Sequence, residues 1–303
     1  MSMKYLRIAS DIHLDFDIDL FNRSRRHLAP EIRQAGEMAF LWLPPQMDED
    51  LETTMVLAGD LWTSSKYLSR KYPDGKSWME KVSKQFKYVV FVLGNHDYWG
   101  GNISDEAIKV KRSLKDSGLN NVFLLEKDSV VLDGIKFVGA TLWTDFNKHD
   151  KGVLMDAANL MNDYKKIRYS SSYSKVKPSN IAFIHNEAKS YIFNNAIKDN
   201  DEQKLIVVSH MPPSIQSIEE VYRNNPKNIN YLYYSDLEEE VLKADIDLWI
   251  HGHNHNFSSY SLGKTHVLSN PRGYVNQESY EFDGKFRISI EELAKKNKKT
   301  IKP

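Results

Sequence analysis

The sequence contains no cysteine. Disulfides and thiolate catalysis are therefore excluded, and any metal must be held by nitrogen and oxygen ligands. No run of residues approaches the roughly 18–20 apolar positions that a membrane span requires. The first thirteen residues, MSMKYLRIASDIH, read directly into a strand and carry no apolar leader stretch, so a cytoplasmic protein with no membrane partner is expected. Charge of one sign is also lacking: Lys plus Arg and Asp plus Glu number 41 each. Such a balance argues against affinity built on coating a nucleic-acid backbone, although a local basic groove stays open.

Short apolar runs rich in Val, Ile and Phe recur at 5–9, 55–58, 88–93, 121–125, 130–132, 135–140, 205–208, 248–250 and 265–268. Each has the length of a strand, and several run into Gly, Asp or His. Helical patterns lie between them. One starts at Ser104 and runs toward Gly118; another starts at Ser235, with Glu238 at capping-box spacing; a third opens at Pro178 and lines up Ile181, Ile184, Ala188 and Ile192. A further helix is expected over residues 31–43, ended by Pro44-Pro45. Strands alternating with helices predict an α/β layered domain. The runs at 130–132 and 135–140 flank Asp133-Gly134, which reads as a hairpin, so the sheets should be mixed. The expected organisation is one domain over 1–290, with 142–203 as a cap or insert, and a Lys-rich tail over 291–303.

Five clusters of chemically active residues fall at or just after strand ends: Asp11-Ile12-His13, Gly59-Asp60, Gly94-Asn95-His96-Asp97, Ser209-His210, and His251-Gly252-His253-Asn254-His255. In α/β sheets, ligands bind where such loops converge above the sheet edge. Residues two apart in extended chain point the same way, so Asp11 and His13 can reach one metal, as can His253 and His255. A carboxylate at Asp60 can bridge two cations at the roughly 3.5–4 Å separation of two-metal catalysis. Each cluster has a plainer reading alone: Gly-Asp is a common turn, and Gly-Asn-His-Asp need be no more. Three alternating histidines after an apolar strand are harder to dismiss, and five ordered clusters harder still.

The ordered set Asp-x-His, Gly-Asp, Gly-Asn-His-Asp, His and Gly-His-x-His resembles the calcineurin-like metallophosphoesterase superfamily, from Asp11 to His255. The resemblance implies two packed mixed β-sheets flanked by helices, a four-layer sandwich, with a dinuclear centre at the strand ends. It assigns Asp11, His13, Asp60 and His255 to one ion and Asp60, Asn95, His210 and His253 to the other. His96 would be the catalytic histidine, with Asp97 beside it as a partner. The words Gly139-Ala-Thr-Leu-Trp-Thr-Asp-Phe146 and Asn270-Pro-Arg-Gly-Tyr274 are similar to a prokaryotic and phage-type group. Protein serine/threonine phosphatases of the superfamily carry further Asp and Arg after the second motif. Here Leu61-Trp62-Thr63-Ser64 follows instead, which turns the reading toward nucleotides, phosphodiesters and small phosphomonoesters.

Two divalent cations, two carboxylates and a bridging hydroxide nucleophile would leave such a centre at about +1, suited to an anionic ester. Mn²⁺ is the expected ion by family habit; Fe, Zn, Ni, Co and Mg also suit nitrogen and oxygen ligands. The expected substrate is a phosphorylated small molecule or nucleotide, with a phosphodiester or nucleotide ahead of a simple monoester. A nuclease using the same centre is the alternative, with Arg23–Arg26, Lys109–Arg112 and Lys165–Arg168 as its basic clusters. A non-catalytic scaffold of this fold ranks below both, because all eight motif residues are present. Arg272 is a candidate phosphate contact, with an ion pair as the rival reading. His251 is expected to pack under the site or to orient a ligand, His185 to lie in the core, and His27, His149 and His266 to lie at the surface. Trp99, in Tyr98-Trp99-Gly100-Gly101, reads as packing or as a wall for a ring.

Overall fold

A computed structural model describes residues 2–25, 27, 41–63, 74–224, 228–275 and 281–294. Most of the helix expected over 31–43, Arg26, and the tail from residue 295 onward lie outside them. Five strands form one sheet in the order β13-β1-β2-β3-β4, from β1 (Tyr5–Ala9), β2 (Thr53–Ala58), β3 (Tyr88–Val92), β4 (Val122–Leu124) and β13 (Arg287–Ser289). Six form the other in the order β11-β12-β10-β9-β6-β5: β5 (Asp128–Leu132), β6 (Ile135–Ala140), β9 (Lys204–Ser209), β10 (Leu248–Ile250), β11 (Ser258–Leu262) and β12 (Thr265–Ser269). A two-stranded ribbon, β7 (Arg168–Tyr169) with β8 (Ser174–Lys175), stands apart. Both large sheets are mixed. β1, β2 and β3 run parallel, as do β6, β9 and β10, whereas β13, β5 and β11 are antiparallel edges.

The central strand sequences are largely apolar because both sheet faces are covered there. All six residues of β2 are buried. Val56 and Ala58 join Leu6, Ile8, Val90, Val92, Phe137, Ile206, Val208 and Ile250 in a core between the sheets. Their neighbours Met55, Leu57, Val89, Phe91, Leu205 and Val207 face the helices instead. A period of two thus divides each strand between two cores and stacks helix, sheet, sheet, helix. The helices include α1 (Leu14–Ser24), α2 (Asp74–Gln85), α3 (Glu106–Asp116), α4 (Lys151–Leu160), α5 (Pro178–Asn195) and α6 (Glu238–Lys243).

The Asp133-Gly134 turn is a hairpin with both residues at positive φ, 50° and 82°, which pairs Leu132 with Ile135. α5 starts at Pro178 and buries Ile181, Ala182, His185, Ala188 and Ile192. The Ser235 expectation fails in its detail. α6 starts at Glu238 after Leu237, and the Ser235 hydroxyl accepts a hydrogen bond from the Asp145 N–H, 3.1 Å away, rather than capping the helix. His266 is also not at the surface. It sits on β12, 1% exposed, with Nε2 3.3 Å from the Ser259 hydroxyl. Its strand is covered on both faces, which a lone histidine in a short run does not reveal.

Candidate metal centre

Every motif residue follows the C-terminal end of a parallel strand: Asp11 after β1, Asp60 after β2, Asn95 and His96 after β3, His210 after β9, and His253 and His255 after β10. The two sheets contribute from opposite sides of one rim. Backbone bonds tie the loops together, with Asp11 N–H to Gly59 O and His13 N–H to Asp60 O at 2.9 Å, and Gly252 N–H to His210 O at 3.0 Å.

The local backbone differs from the extended geometry expected. Asp11 (φ 52°), His13 (48°), Asp60 (53°), His253 (76°) and His255 (54°) all occupy the left-handed region. For residues other than glycine that region is uncommon, though Asp and His tolerate it better than most. Each such residue turns the chain sharply at a strand end, and the clustering of five marks backbone strain held by the surrounding packing. Two glycines permit the crowding. A Cβ at Gly252 would sit 2.6 Å from Asp11 Oδ2, and one at Gly94 would collide with the Asp60 carboxylate.

The side chains converge. His13 Nε2 and His255 Nε2 lie 3.1 Å apart, although 242 residues separate them in sequence. His255 Nε2 is 3.5 Å from Asp11 Oδ1, and His13 Nε2 is 3.8 Å from Asp60 Oδ2. The other oxygen of Asp60 is 3.4 Å from His210 Nε2, which is 3.1 Å from Asn95 Oδ1. Asp11, His13 and His255 therefore form one set of donors, and Asp11, Asp60 and His210 another, each within 4.8 Å.

The protonation pattern suits cations. Burial pushes His13 and His253 down to about 3 and His96 to about 4, so these rings are neutral at neutral pH. Burial opposes ionisation of Asp60, but the His210 and His96 rings hold its carboxyl well below the usual range. His210 itself, despite burial, is raised to about 9 by the Asp60 carboxylate. Its Nδ1–H donates to Ala58 O at 2.8 Å, which directs Nε2 at the oxygens of Asp60 and Asn95. In neutral His210 three acceptor atoms would face one another there, which a proton on Nε2 or a bound cation would reconcile. Among the described residues the buried Nε2 of His253 and Nδ1 of His13 have no hydrogen-bond partner. These observations fit divalent ions, which Asp11, His13, Asp60, Asn95, His210, His253 and His255 could hold.

Two expected residues do other work. Asp97 does not face the His96 ring. Its carboxylate accepts the backbone N–H groups of Gly94 (2.7 Å), Asp60 (2.9 Å), Leu61 (3.1 Å) and Trp62 (2.7 Å), so it fixes the loop that presents Asp60. Arg272 takes the ion-pair reading. It forms a two-pronged pair with Asp17 (2.9 and 3.0 Å) and donates to Ile12 O at 2.8 Å, holding the first motif loop. His251 is buried under the site, with Nε2 2.8 Å from the Ser217 hydroxyl, and orients the loop rather than pointing outward. His185 is buried on α5 as expected, with Nδ1 3.1 Å from Leu142 O.

Four further residues belong to the site. Trp99 stacks on His96 with ring centroids 3.5 Å apart, and the Lys166 ammonium lies over the Trp99 ring at 3.5 Å. The Tyr274 hydroxyl is 3.3 Å from His96 Nε2. Asp163, in a helical turn at Asp163–Lys166, accepts from Asn95 Nδ2 (3.0 Å) and Trp99 Nε1 (2.6 Å) through one oxygen. Trp99 and Tyr274 stood in words already singled out, and Lys166 in the Lys165–Arg168 basic cluster; Asp163 had no sequence signal beyond its place in the 142–203 segment.

A family model for the calcineurin-like phosphoesterases matches residues 6–257. The chain belongs to that family. This phosphoesterase is 25% identical over 302 residues to the uncharacterized protein L509 of Acanthamoeba polyphaga mimivirus, covering 96% of this chain and 98% of the viral one. In fold it is similar to a crystal structure of phosphopantetheinyl hydrolase (PptH) from Mycobacterium tuberculosis. The TM-score is 0.59 at 12% identity, over 94% of this chain and 95% of the other. No helix among the described residues is long and apolar enough to cross a membrane.

Proposed function

We propose that this phosphoesterase is a two-metal phosphodiesterase acting on a compact substrate with a single phosphate linkage, such as a nucleotide or a small diester. The observation that carries the reading is the division of Asp60, with one oxygen toward His13 and the other toward His210. A carboxylate shared in that way suits two ions a few ångströms apart.

When bound, the ions supply Lewis-acid polarisation of the phosphoryl oxygens and an acidified water as nucleophile. The chain's own residues do the rest. Asn95 adds a neutral oxygen donor, which preserves a net positive charge for an anionic ester. His96 lines the cleft, and its Nε2 lies 3.3 Å from the Tyr274 hydroxyl, whereas Nδ1 is buried. With the proton on Nε2, the ring could stabilise a phosphoryl oxygen or meet the departing alkoxide.

A cleft of about 590 Å³ opens beside the motif residues, walled by Trp99, Leu160, Ile218 and Tyr233 with Asn162 and Asn230 among them. Its size and its mixture of apolar and amide surfaces suit an organic group attached to the phosphate. Among the described residues no Lys or Arg lines it. Lys109 pairs with Asp105 and Glu106, and Lys111 with Asp128. These features favour a small substrate over a nucleic-acid strand, whose several phosphates need counter-charge.

The test is hydrolysis of a bis-aryl phosphate and its aryl monoester with added Mn²⁺. The diester should be the faster substrate, and His96→Ala should lose about 10²–10⁴ in kcat while keeping its metal. Hydrolysis indifferent to that substitution, or absent with Mn, Fe, Zn, Ni and Co alike, would overturn the reading.

A further inference from the structure

One oxygen of Asp163 serves two donors at once, the Asn95 amide and the Trp99 indole. Asp163 is 3% exposed, and it comes from the segment between β6 and β9 rather than from a motif loop. An ionised carboxylate only accepts hydrogen bonds, so its presence decides which way round the Asn95 amide stands. With Nδ2 on Asp163, Oδ1 must point at His210 Nε2, the face where a cation would lie. Rotated by half a turn, the same amide would present two N–H donors to that cation and lose its ligand atom.

The second donor makes the arrangement stiffer. Trp99 is held edge-on by the same oxygen, stacks on His96 with one face and carries the Lys166 ammonium over its ring. Burial favours the neutral form of Asp163, while its bonds to Asn95 and Trp99 favour the carboxylate. Either form keeps an acceptor oxygen, so the geometry does not depend on its titration.

We propose that Asp163 is a positioning residue that fixes the orientation of Asn95 as a metal ligand and, through Trp99, the plane of His96. The inference rests on the two-metal reading above. Groups that orient a ligand from behind typically account for 10–100-fold in metal affinity.

The experiment is Mn²⁺ titration of the full chain by calorimetry, with electron paramagnetic resonance to tell coupled ion pairs from isolated ions. Wild type should bind two ions per chain with a coupled spectrum. Asp163→Leu, of similar bulk without an acceptor, should weaken one of the two by 10–100-fold and show isolated-ion signals at low occupancy. Asp163→Ser, whose hydroxyl is too short to reach both donors, repeats the measurement should the leucine variant fail to fold. Asp163→Asn retains an acceptor oxygen and should restore the coupled pair. Wild-type affinity for both ions in the Leu or Ser variant would overturn the proposal, as would an Asn variant as impaired as Leu. A wild-type chain that binds no second ion would instead overturn the two-metal reading beneath it.

Discussion

Arg272 shows how a residue chosen for phosphate chemistry serves the scaffold instead. Its guanidinium meets both oxygens of Asp17, which is 1% exposed, and also caps the carbonyl of Ile12 between two motif residues. Burial pushes the Asp17 carboxyl up, and the Arg272 hydrogen bonds and charge pull against it. Removing one partner of a buried pair leaves the other charged and unpaired, at a cost of about 3–5 kcal/mol. Arg272→Ala should therefore lower unfolding stability by about that amount in chemical denaturation, whereas a phosphate contact would alter KM with little change in stability. At the same scale, the convergence of six of the seven motif residues was legible because histidine and aspartate at strand ends are costly without a purpose, whereas Asn95 came from the family resemblance alone. The left-handed backbone at five of them was not, since φ depends on the loops that meet them. Nor was Asp163, an acidic residue in a stretch rich in polar side chains, whose meaning exists only once Asn95 lies beside it.

α5 carries a pH-sensitive contact away from the metal ligands. His185 is wholly buried against the carbonyls of Leu142 and Trp143, and burial lowers its pKa below the ordinary histidine value. Neutral His185 is thus part of the folded state, while the unfolded chain protonates near pH 6.5. The stability this provides is complete above that value and is lost as pH falls through it toward the depressed folded pKa. Denaturation curves of wild type and His185→Gln should diverge less at acid pH than at neutral pH, because the variant has no such proton to take up. A constant difference across that range would sink the prediction. Among elements, the strands were read nearly to their ends: 5–9, 135–140 and 248–250 coincide with β1, β6 and β10. β11 and β13 escaped, because Ser258–Leu262 and Arg287–Ser289 are edge strands with mixed polar sequences and only one neighbour. Period-two burial is a weak signal at an edge.

Across the whole molecule, the donors come from both sheets: Asp11, His13, Asp60 and Asn95 from one, His210, His253 and His255 from the other. Ions bound among them would cross-link the two halves of the sandwich in addition to the core between the sheets. Ligands that bind only the folded state stabilise it by about 2.7 kcal/mol at a concentration a hundred times the Kd. The melting temperature should rise with added Mn²⁺ and fall on chelation, and Asp60→Asn should flatten that response. The alternation of strands and helices made a layered α/β domain readable, and the four layers followed from the family resemblance. The shape of the cleft was not, because its walls come from side chains whose positions depend on packing between distant segments.

The 3.1 Å approach of His13 to His255 also bears on how the protein is made. Domains assemble as the chain emerges from its N-terminus, at about 5–20 residues per second. Asp11, His13 and Asp60 leave the ribosome many seconds before the His253-Asn-His255 loop exists. During synthesis the early carboxylates and imidazole can offer no more than a partial chelate, so the complete cage can be loaded only when nearly all of the catalytic domain has been translated.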